Sequence, residues 1–547
     1  MKKWIPALIV GSCVLTVLAG LRQPPTKNGP DLISFGKLPS FYRGRVMPMD
    51  SIARTSLLMI SGTQVLRTPT GEKSAIEWLA DVLWDPQKTI GDPLFEIDDP
   101  DVLGLMTIEQ TKRRRFSFQE IQPFMGEIDK QAAHADGLDV SQRTRFHNSI
   151  LLLQNRVVLY QELGWASLGQ TLMLGMPSSE FPGWGMPYIT MGNAYRKGDA
   201  ARFNAALEEC AGNLSQSVSK KTRLAGYEAF LNHVEPFYKS MIIYVLAFLL
   251  VSFSFLGARQ SLVRAGFGLM SLAFVLHTLG LVSRIVIQGR PPVTNLYSSA
   301  VFVGWAAALL GLGLEWIYRK GIGTLVTSII GFLTLIVAHH LALQGDTMEM
   351  LQAVLDSNFW LTTHVVTIMI GYSSTFIAGF LAMGYLFRRA FSRNPDIRGE
   401  EALETMVYGV ICFAAFFSFV GTVLGGVWAD QSWGRFWGWD PKENGALLIV
   451  LWNVFILHAW NLPKIKPVSI MMMAVFGNVI TALCWFGVNM LGIGLHSYGF
   501  MDKALLWLVV FIVTQLAVLS LGFFPSRQGA GVPSTTPNSS DKPRGRK

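Results

Sequence analysis

The sequence contains few charged residues and few cysteines, and each scarcity argues against a class of protein. Only 15% of the 547 residues are charged, whereas soluble globular domains contain about 25%. The four cysteines lie far apart, at Cys13, Cys210, Cys412 and Cys484. There is no CxxC pair and no CxxCH haem-attachment motif. We therefore expect neither a dithiol oxidoreductase nor a chain that is itself a c-type cytochrome.

Hydrophobic residues make up half of the sequence, and this abundance predicts a membrane protein. The net charge of +9 does not indicate a nucleic-acid partner. In membrane proteins, the excess of Lys and Arg collects in the cytoplasmic loops. We accordingly expect no nucleic acid among the partners of this chain.

The N-terminal part of the sequence contains two segments of different character. Residues 1–22 begin with two lysines, and an apolar run of about 18 residues follows, which fits a membrane anchor or a signal peptide. We favour the anchor. Residues 23–237 are mixed in polarity, with helical periodicity near 74–84, 141–173 and 198–232. We predict a mostly helical extracytoplasmic domain, and its sequence does not indicate its role.

Nine apolar segments follow the N-terminal domain. They lie near residues 239–257, 265–287, 298–317, 322–343, 359–387, 405–427, 444–461, 468–491 and 503–523. Segments of about 18–25 residues are long enough to cross a hydrocarbon core of about 30 Å. Together with the N-terminal anchor they predict an all-α polytopic membrane bundle of about ten transmembrane helices, with its membrane domain at 238–525.

Basic residues alternate along the connections between these segments. The odd-numbered connections contain Arg259, Arg264, Arg319, Lys320, Arg388, Arg389, Arg393, Arg398, Lys464 and Lys466. The positive-inside rule places these connections in the cytoplasm. The even-numbered connections and residues 23–237 then face the outer side, and residues 526–547 form a disordered cytoplasmic tail.

A tryptophan-rich stretch, "WGRFWGWDPKE", lies in the sixth connection and so on the predicted outer side. Its tryptophans are Trp433, Trp437 and Trp439. The order Asp-Pro-Lys-Glu is typical of a helix start, with Asp440 as N-cap and Glu443 at the third helical position. These two residues therefore either cap the next helix or contribute to a site. Lys442 either meets an anionic ligand group or is a solvated loop charge.

Four histidines lie in or beside the apolar segments at positions that indicate function. Ionisable groups inside membrane spans are costly and usually functional. His277 and His458 lie inside spans, roughly 15 Å and 22 Å from the outer ends. His364 and His496 lie at the outer ends of spans and flank the tryptophan-rich stretch in sequence. For each histidine taken alone, a structural role remains open.

Haem is the ligand that suits this set of residues best. The sequence contains no HxxxH or HExxH spacing and no carboxylate beside these histidines, which argues against a separate metal ion. Haem iron accepts two axial imidazoles from different helices, so two pairs of histidines predict two haem sites. A flat porphyrin suits tryptophan faces, and Arg284 and Arg290 are positioned in sequence to contact its propionates.

The motifs resemble those of a known family. "WGRFWGWDPKE" resembles the WWD signature of haem-handling proteins in cytochrome c maturation. The stretches "LLIVLWNVFILHAWNL", "WLTTHV", "GRPPVTNLY" and "GLHSYG" resemble the CcsA (ResC) branch in order and spacing. The resemblance covers about residues 240–523. In the N-terminal domain, "GRVMPMDSIAR" is similar to a stretch found upstream of CcsA-type modules in some bacteria.

The resemblance implies a function and a set of haem contacts. The chain is similar to the integral-membrane half of the system II cytochrome c synthetase, a holocytochrome c synthase of the bacterial inner membrane. Haem b from the inner side is held by the transmembrane pair His277 and His458. It is then presented on the WWD loop, residues 428–444, with His364 and His496 as iron ligands. The WWD core corresponds to Trp433, Trp437, Trp439 and Asp440, with Lys442 beside it.

The resemblance also implies partners. Apocytochrome c supplies a CxxCH motif, whose thiols add to the haem vinyl groups, and a thioredoxin-like protein reduces those thiols. No CcsB (ResB) module is recognisable in residues 23–237, so we expect a separate CcsB/ResB-like membrane protein. The sequence departs from the family where Ser298 replaces a frequent Glu and Asn444 a common Thr.

Three other functions fit parts of the same pattern. A haem carrier of the CcmC type would pass haem on without attaching it, although such proteins are shorter. A b-type electron-transfer subunit would retain its haem, but the tryptophan-rich loop would then have no explanation. A transporter without a cofactor would contain no haem.

Overall fold

The computed structural model describes eleven ranges of the chain. They are residues 4–22, 29–68, 71–108, 113–139, 142–164, 185–216, 220–255, 259–351, 353–392, 397–490 and 502–524. His496 and the predicted tail at 526–547 lie outside them.

Nine helices within the described residues are long and apolar enough to cross a membrane. They are Arg223–Ser254, Gln260–Gln288, Leu296–Tyr318, Ile322–Gln344, Asn358–Phe391, Ile397–Trp433, Pro441–Trp460, Pro467–Met490 and Leu505–Phe523, numbered below as the first to ninth spans. Each coincides with one of the nine apolar segments, so the prediction of a polytopic helical membrane protein is confirmed. The first and sixth spans begin earlier than predicted, because polar helical residues precede their apolar parts.

The N-terminal apolar run forms a helix at Ile5–Ala19. Its 15 residues give it a length of about 22 Å, shorter than a hydrocarbon core of about 30 Å. The helix packs against the second span: a Cβ added at Gly268 would lie 2.7 Å from a methyl carbon of Val10. Glycine at position 268 therefore lets the two helices approach closely.

The N-terminal domain is mainly helical, as predicted, and also contains three short hairpins that the sequence analysis did not predict. Its helices are Leu32–Gly36, Met49–Ser61, Ala75–Trp84, Pro100–Leu105, Phe118–Ile121, Met125–Asp136, Arg145–Gly164, Gly185–Arg196, Ala200–Gln216 and Lys220–Val234, the last of which overlaps the start of the first span. The antiparallel hairpins pair Pro39–Tyr42 (β1) with Arg45–Pro48 (β2), Val65–Thr68 (β3) with Gly71–Ser74 (β4), and Phe95–Glu96 (β5) with Arg115–Phe116 (β6). Large buried side chains such as Trp78, Phe35 and Phe203 form the core between them.

The turn between β1 and β2 is tight. Its two central residues, Arg43 and Gly44, have positive φ angles of 49° and 86°, as a type I′ turn requires. Glycine adopts this conformation without steric cost. The turn pairs Tyr42 with Arg45 across the hairpin and so fixes the backbone position from which the Arg45 side chain extends.

The chain forms two compact units. The first comprises Met1–Leu246, Ala258–Phe302 and Phe332–Asn358, and the second comprises Ala247–Gly257, Val303–Gly331 and Phe359–Lys547. The predicted domain boundary between residues 237 and 238 falls inside the first span and inside the first unit. The first unit therefore joins the N-terminal domain to parts of the first four spans.

Close helix packing in the second unit depends on glycines of the fifth span. A Cβ added at Gly371 would lie 2.5 Å from the Ser418 hydroxyl oxygen of the sixth span. A Cβ added at Gly379 would lie 2.1 Å from the Asn478 side chain of the eighth span. Small residues of this kind permit tight helix packing in membranes, so the fifth span lies directly against both neighbours.

Candidate functional site

The tryptophan-rich loop connects the end of the sixth span, Trp433, to the start of the seventh, Pro441. Trp439 has a positive φ of 57°, which costs a non-glycine residue roughly 1–2 kcal/mol. Its side chain is 72% exposed, and its ring meets that of Trp437 edge to face at 6.3 Å. Strain of this kind persists where the surrounding structure enforces it, often at functional sites. The loop therefore holds an exposed aromatic edge at its tip.

Asp440 and Glu443 fasten the loop to the seventh span. Asp440 is the N-cap of this helix, and its carboxylate accepts a hydrogen bond from the Lys442 backbone N–H at 2.8 Å. The Glu443 carboxylate accepts from the N–H groups of Asp440 and Gly438, at 3.1 and 2.8 Å. The predicted helix start is thus confirmed, and both carboxylates act as caps.

Lys442 is not a solvated loop charge. Its Nζ donates to the backbone carbonyls of Cys484 and Trp485, at 2.9 and 3.1 Å. These carbonyls belong to a π-helical turn, Leu483–Gly487, within the eighth span. A π turn interrupts the regular hydrogen-bond ladder of a helix, and here the ammonium group binds two carbonyls of the turn. Sequence reasoning missed this role, because the bonds join residues 42 and 43 positions apart.

His364 also lies in a π-helical turn, Leu361–Val365, of the fifth span. Its Nδ1 lies 2.8 Å from the Gly421 carbonyl oxygen of the sixth span. A carbonyl can only accept, so Nδ1 carries the proton and Nε2 carries the lone pair. Histidines that bind metals usually donate their other ring N–H to such a carbonyl or carboxylate. The structure thus gives His364 the tautomer that iron ligation through Nε2 needs.

A glycine and a tryptophan lie against the His364 ring. A Cβ added at Gly425 would lie only 2.6 Å from its Cε1 atom, so glycine leaves the room that the imidazole occupies. Trp428 meets the imidazole edge to face at 5.8 Å and stacks with Trp360 at 6.4 Å. The imidazole of His364 therefore lies between the Trp428 ring and the backbone of Gly425.

His277 is fully buried in the first unit, and both of its ring nitrogens have partners. Its Nε2 lies 3.0 Å from the Val301 carbonyl oxygen, and its Nδ1 lies 3.1 Å from the Tyr244 hydroxyl. The carbonyl places the proton on Nε2, so Nδ1 accepts from the tyrosine. Iron ligation through Nε2 would need to break the bond to Val301.

His458 is exposed near the end of the seventh span, and its Nδ1 donates to the Val454 carbonyl one turn earlier, at 3.1 Å. It lies about 26 Å along its helix from Pro441, and His277 lies about 16 Å from the end of its own at Gln288. These two histidines belong to different units, and their pairing stays a prediction. The pairing of His364 with His496 stays a prediction as well, because His496 lies outside the described residues.

Arg284 and Arg290 both bind protein groups. Arg284 is 5% exposed, and it donates to the side-chain and backbone oxygens of Thr347, at 2.8 and 2.7 Å. Its guanidinium lies 4.7 Å from the centre of the Tyr297 ring. Arg290 forms an ion pair with Asp356. Both arginines therefore have protein partners besides the haem propionates predicted for them.

Ser298 caps the third span where the family often has Glu. Asn295 precedes this helix, and its side-chain oxygen accepts from the Ser298 N–H at 2.9 Å. The Ser298 hydroxyl in turn accepts from the Asn295 and Thr294 N–H groups, at 2.9 and 2.8 Å. Since Glu at this position is the usual partner in a capping box, Ser298 preserves the capping function with a shorter side chain.

Comparison with known proteins points to one family. The family model described as "Cytochrome C assembly protein" matches residues 293–496. The cytochrome c biogenesis protein CcsA of Synechococcus sp. is 31% identical over 271 residues, which cover 44% of this chain and 88% of CcsA. CcsA of Guillardia theta is 31% identical over 264 residues, covering 43% of this chain and 86% of CcsA.

Similarity to one further relative extends into the N-terminal domain. Protein NrfI of Wolinella succinogenes is 27% identical over 547 residues, which cover 91% of this chain. The alignment covers 59% of NrfI, so this chain spans less than two thirds of that relative's length. The N-terminal domain is thus part of a region shared with another protein.

Proposed function

This chain belongs to the CcsA family of cytochrome c assembly proteins, and from that premise we propose that it presents haem b to apocytochrome c for covalent attachment. The observation that carries the proposal is the hydrogen bond from His364 Nδ1–H to the Gly421 carbonyl. It leaves the lone pair on the ring nitrogen that ligates iron in many haem proteins. In this proposal His364 and His496 are the two axial ligands of a haem held beside the WWD loop.

The loop would hold the porphyrin through its aromatic faces. Trp437 and the exposed Trp439 would pack against the macrocycle, with Trp433 at the base of the loop. Asp440 and Lys442 would hold the loop in place, because the Asp440 carboxylate caps the seventh span and the Lys442 ammonium group binds the π turn. A loop fixed in this way lets binding energy orient the substrate instead of ordering the protein.

Attachment itself needs no redox partner for the bond-forming step. Each cysteine S–H of the CxxCH adds across one vinyl group. Sulfur bonds to the carbon next to the porphyrin ring, and the hydrogen goes to the terminal carbon. Holding thiol and vinyl together makes the reaction effectively unimolecular, which can lower the barrier by several kcal/mol. The CxxCH histidine would displace one of the two axial histidines and so release the product.

An earlier stage of haem transit involves the histidines inside the spans. In this proposal His277 and His458 hold haem within the membrane before it reaches the WWD loop. Binding at His277 breaks the hydrogen bond to Val301, and iron-bound His277 would turn its remaining N–H toward the Tyr244 oxygen. Contact of Arg284 and Arg290 with the haem propionates would require these arginines to release Thr347 and Asp356.

The location and partners follow from the same reasoning. The alternation of basic connections supports a bacterial inner-membrane protein with the WWD loop and the N-terminal domain on the periplasmic side. The partners would be a CcsB/ResB-like membrane protein, apocytochrome c and a thioredoxin-like reductant of its thiols.

Absorption spectra of the purified protein and its histidine variants test the proposal. The reduced protein is expected to show a bis-imidazole b-type spectrum. His364→Ala and His496→Ala should each lose the share of this signal that comes from the outer site, and most cytochrome c maturation. His340→Ala is the control, because His340 is exposed, bonds a carbonyl one turn earlier in its own helix and has no part in either proposed haem site. Full haem and full maturation in both outer-site variants would overturn the assignment.

A further inference from the structure

The fourth connection, residues 345–351 and 353–357, is bound at both ends by other parts of the first unit. It leads directly into the fifth span, which begins at Asn358 and carries His364. The residues that bind it come from the N-terminal domain, the second span and the segment between the second and third spans.

At the first end, three side chains converge on the dipeptide Asp346–Thr347. Arg45 of strand β2 forms an ion pair with Asp346, with one Nη2–Oδ1 distance of 3.0 Å. Arg284 donates twice to Thr347, and the Asn295 side-chain amide donates to the Thr347 carbonyl at 3.0 Å. A charge-assisted arginine–carboxylate pair is geometrically specific, and the bonds to Thr347 add to it, so the position of this dipeptide is closely fixed.

At the second end, the segment between the second and third spans supplies both contacts. Arg290 pairs with Asp356. The Asn358 side-chain amide donates to the Gly289 carbonyl at 3.4 Å. The connection is therefore held just after it begins and again where it joins the fifth span.

Arg45 also ties the connection to the first span. Its guanidinium donates in parallel to both carboxylate oxygens of Glu228, at 2.8 and 2.9 Å. Glu228 is 1% exposed, so this pair is shielded from water. Burial lowers the pKa of Arg45, but the hydrogen bonds and charges of Glu228 and Asp346 more than offset it and raise the pKa above its ordinary value. The cation therefore persists at all physiological pH values.

The stretch "GRVMPMDSIAR" in the N-terminal domain supplies the polar groups around this pair. It includes Arg45 itself. Ser51 donates from its hydroxyl to Glu228 at 2.6 Å, and the Asn232 amide donates to Ser51 and Asp50, at 2.9 and 3.0 Å. The part of the N-terminal domain that resembles other CcsA-associated sequences is thus the part that binds the first span and the fourth connection.

We propose that Arg45, Arg284 and Arg290 are positioning residues, through which the N-terminal domain and the neighbouring segments hold the fourth connection and so orient the start of the span that carries His364. The effect on haem rests on the proposed function, whereas the effect on the connection does not. This assigns the N-terminal domain a role in holding the connection that leads into the fifth span. It also gives Arg284 and Arg290, which were predicted to contact haem propionates, a structural role.

Cysteine accessibility measures the connection directly. Met348 is 8% exposed and lies in the fourth connection, so the labelling of Met348→Cys by a membrane-impermeant maleimide reports local opening of the connection. Labelling rates would be measured on the full chain in detergent, with the protein lacking Met348→Cys as the background for the native cysteines. Haem content would be measured on the same preparations.

Asp346→Asn and Asp356→Asn are the decisive variants. Asp346→Asn leaves the Arg45–Glu228 pair intact, so no buried charge is orphaned. Each should raise the labelling rate several-fold, because each removes one of the two ion pairs that hold the connection and so favours its local opening. Arg67→Gln is the control. It breaks the Arg67–Glu72 ion pair of the N-terminal domain, whose side chains are 86% and 64% exposed, and should leave the labelling rate unchanged. Wild-type labelling rates in both Asp variants would overturn the proposal.

A double-variant comparison separates positioning from propionate contact. If Arg290 acts through Asp356, then Arg290→Gln, Asp356→Asn and the double variant should show the same labelling rate and the same haem loss. If Arg290 instead binds a propionate, Asp356→Asn should retain haem while Arg290→Gln loses it, which would overturn the positioning role. Labelling does not require haem, so a protein that never binds haem would still test the proposal about the connection.

Discussion

Gly425 is the residue whose size decides whether the imidazole of His364 can lie where it does. A Cβ at this position would collide with the ring, and the resulting shift would disturb the bond to Gly421. Gly425→Ala should therefore reduce haem content several-fold and destabilise the protein by about 1–3 kcal/mol, the usual cost of overpacking. Haem absorbance per protein and thermal unfolding in detergent measure the two effects.

The matched control for Gly425→Ala is on the same helix. A Cβ added at Gly409 would meet nothing within 4 Å, so Gly409→Ala should keep full haem and gain slightly in stability from the better helix propensity of alanine. Equal haem loss in the two variants would show that the space beside His364 is not the cause.

Tyr244 is the second residue with a specific expected effect. Its hydroxyl donates to buried His277, so Tyr244→Phe leaves a lone pair without a partner. We expect a loss of about 1–3 kcal/mol in the free energy of unfolding. Thermal unfolding of the haem-free protein measures it. Tyr238→Phe, at a residue that is 52% exposed, should have no effect, and an equal effect there would contradict the role assigned to the Tyr244 hydroxyl.

At the scale of elements, the two π-helical turns and the tryptophan-rich loop depend on bonds between spans. Lys442 satisfies two carbonyls of the turn Leu483–Gly487. Lys442→Met should therefore lower the melting temperature of the haem-free protein, with a loss of about 1–3 kcal/mol. The Cys484 carbonyl loses its bond from Lys442, whereas the Trp485 carbonyl keeps the one from the Asn489 amide. Lys464→Met changes an exposed lysine of the seventh connection and should be neutral. If Lys442→Met reduced haem binding and left the melting temperature unchanged, a propionate contact would be the better explanation.

Elements set by local sequence were predictable, and elements set by distant partners were not. The nine spans follow from hydropathy, and the cap at Asp440 follows from four consecutive residues. The π turns have no local signature here. The bonds of Arg45 reach Glu228 and Asp346, 183 and 301 positions away. The three hairpins of the N-terminal domain were missed because their strands are only two to four residues long.

At the scale of the whole molecule, the direction in which the chain crosses the membrane decides which motifs face the apocytochrome. Met350 belongs to the fourth connection and Lys464 to the seventh. In intact cells an impermeant maleimide should label Met350→Cys and leave Lys464→Cys unlabelled, because basic connections face the cytoplasm. Labelling of Lys464→Cys alone would reverse the proposed orientation.

The pairing of the haem ligands is also a property of the whole molecule. The sequence motifs predict which histidines pair, and the described residues do not test that prediction. The resemblance pairs His277 with His458 and His364 with His496. The structure shows the hydrogen bonds of His277, His364 and His458, each with its own protein partner. The bonds of His277 and His364 depend on neighbouring helices, through Val301 and Gly421. Such partners could not be read from the spacing of histidines along the chain.

Chemical rescue of the outer ligand tests the central claim most directly. His364→Gly removes the imidazole and leaves space for a free one. Maturation of a reporter c-type cytochrome and the b-type spectrum of the purified protein would be measured with and without added imidazole. Ligation of the haem iron by His364 predicts that maturation is lost and the b-type signal reduced in His364→Gly, and that imidazole largely restores both. Wild-type maturation by His364→Gly in the absence of imidazole would contradict it.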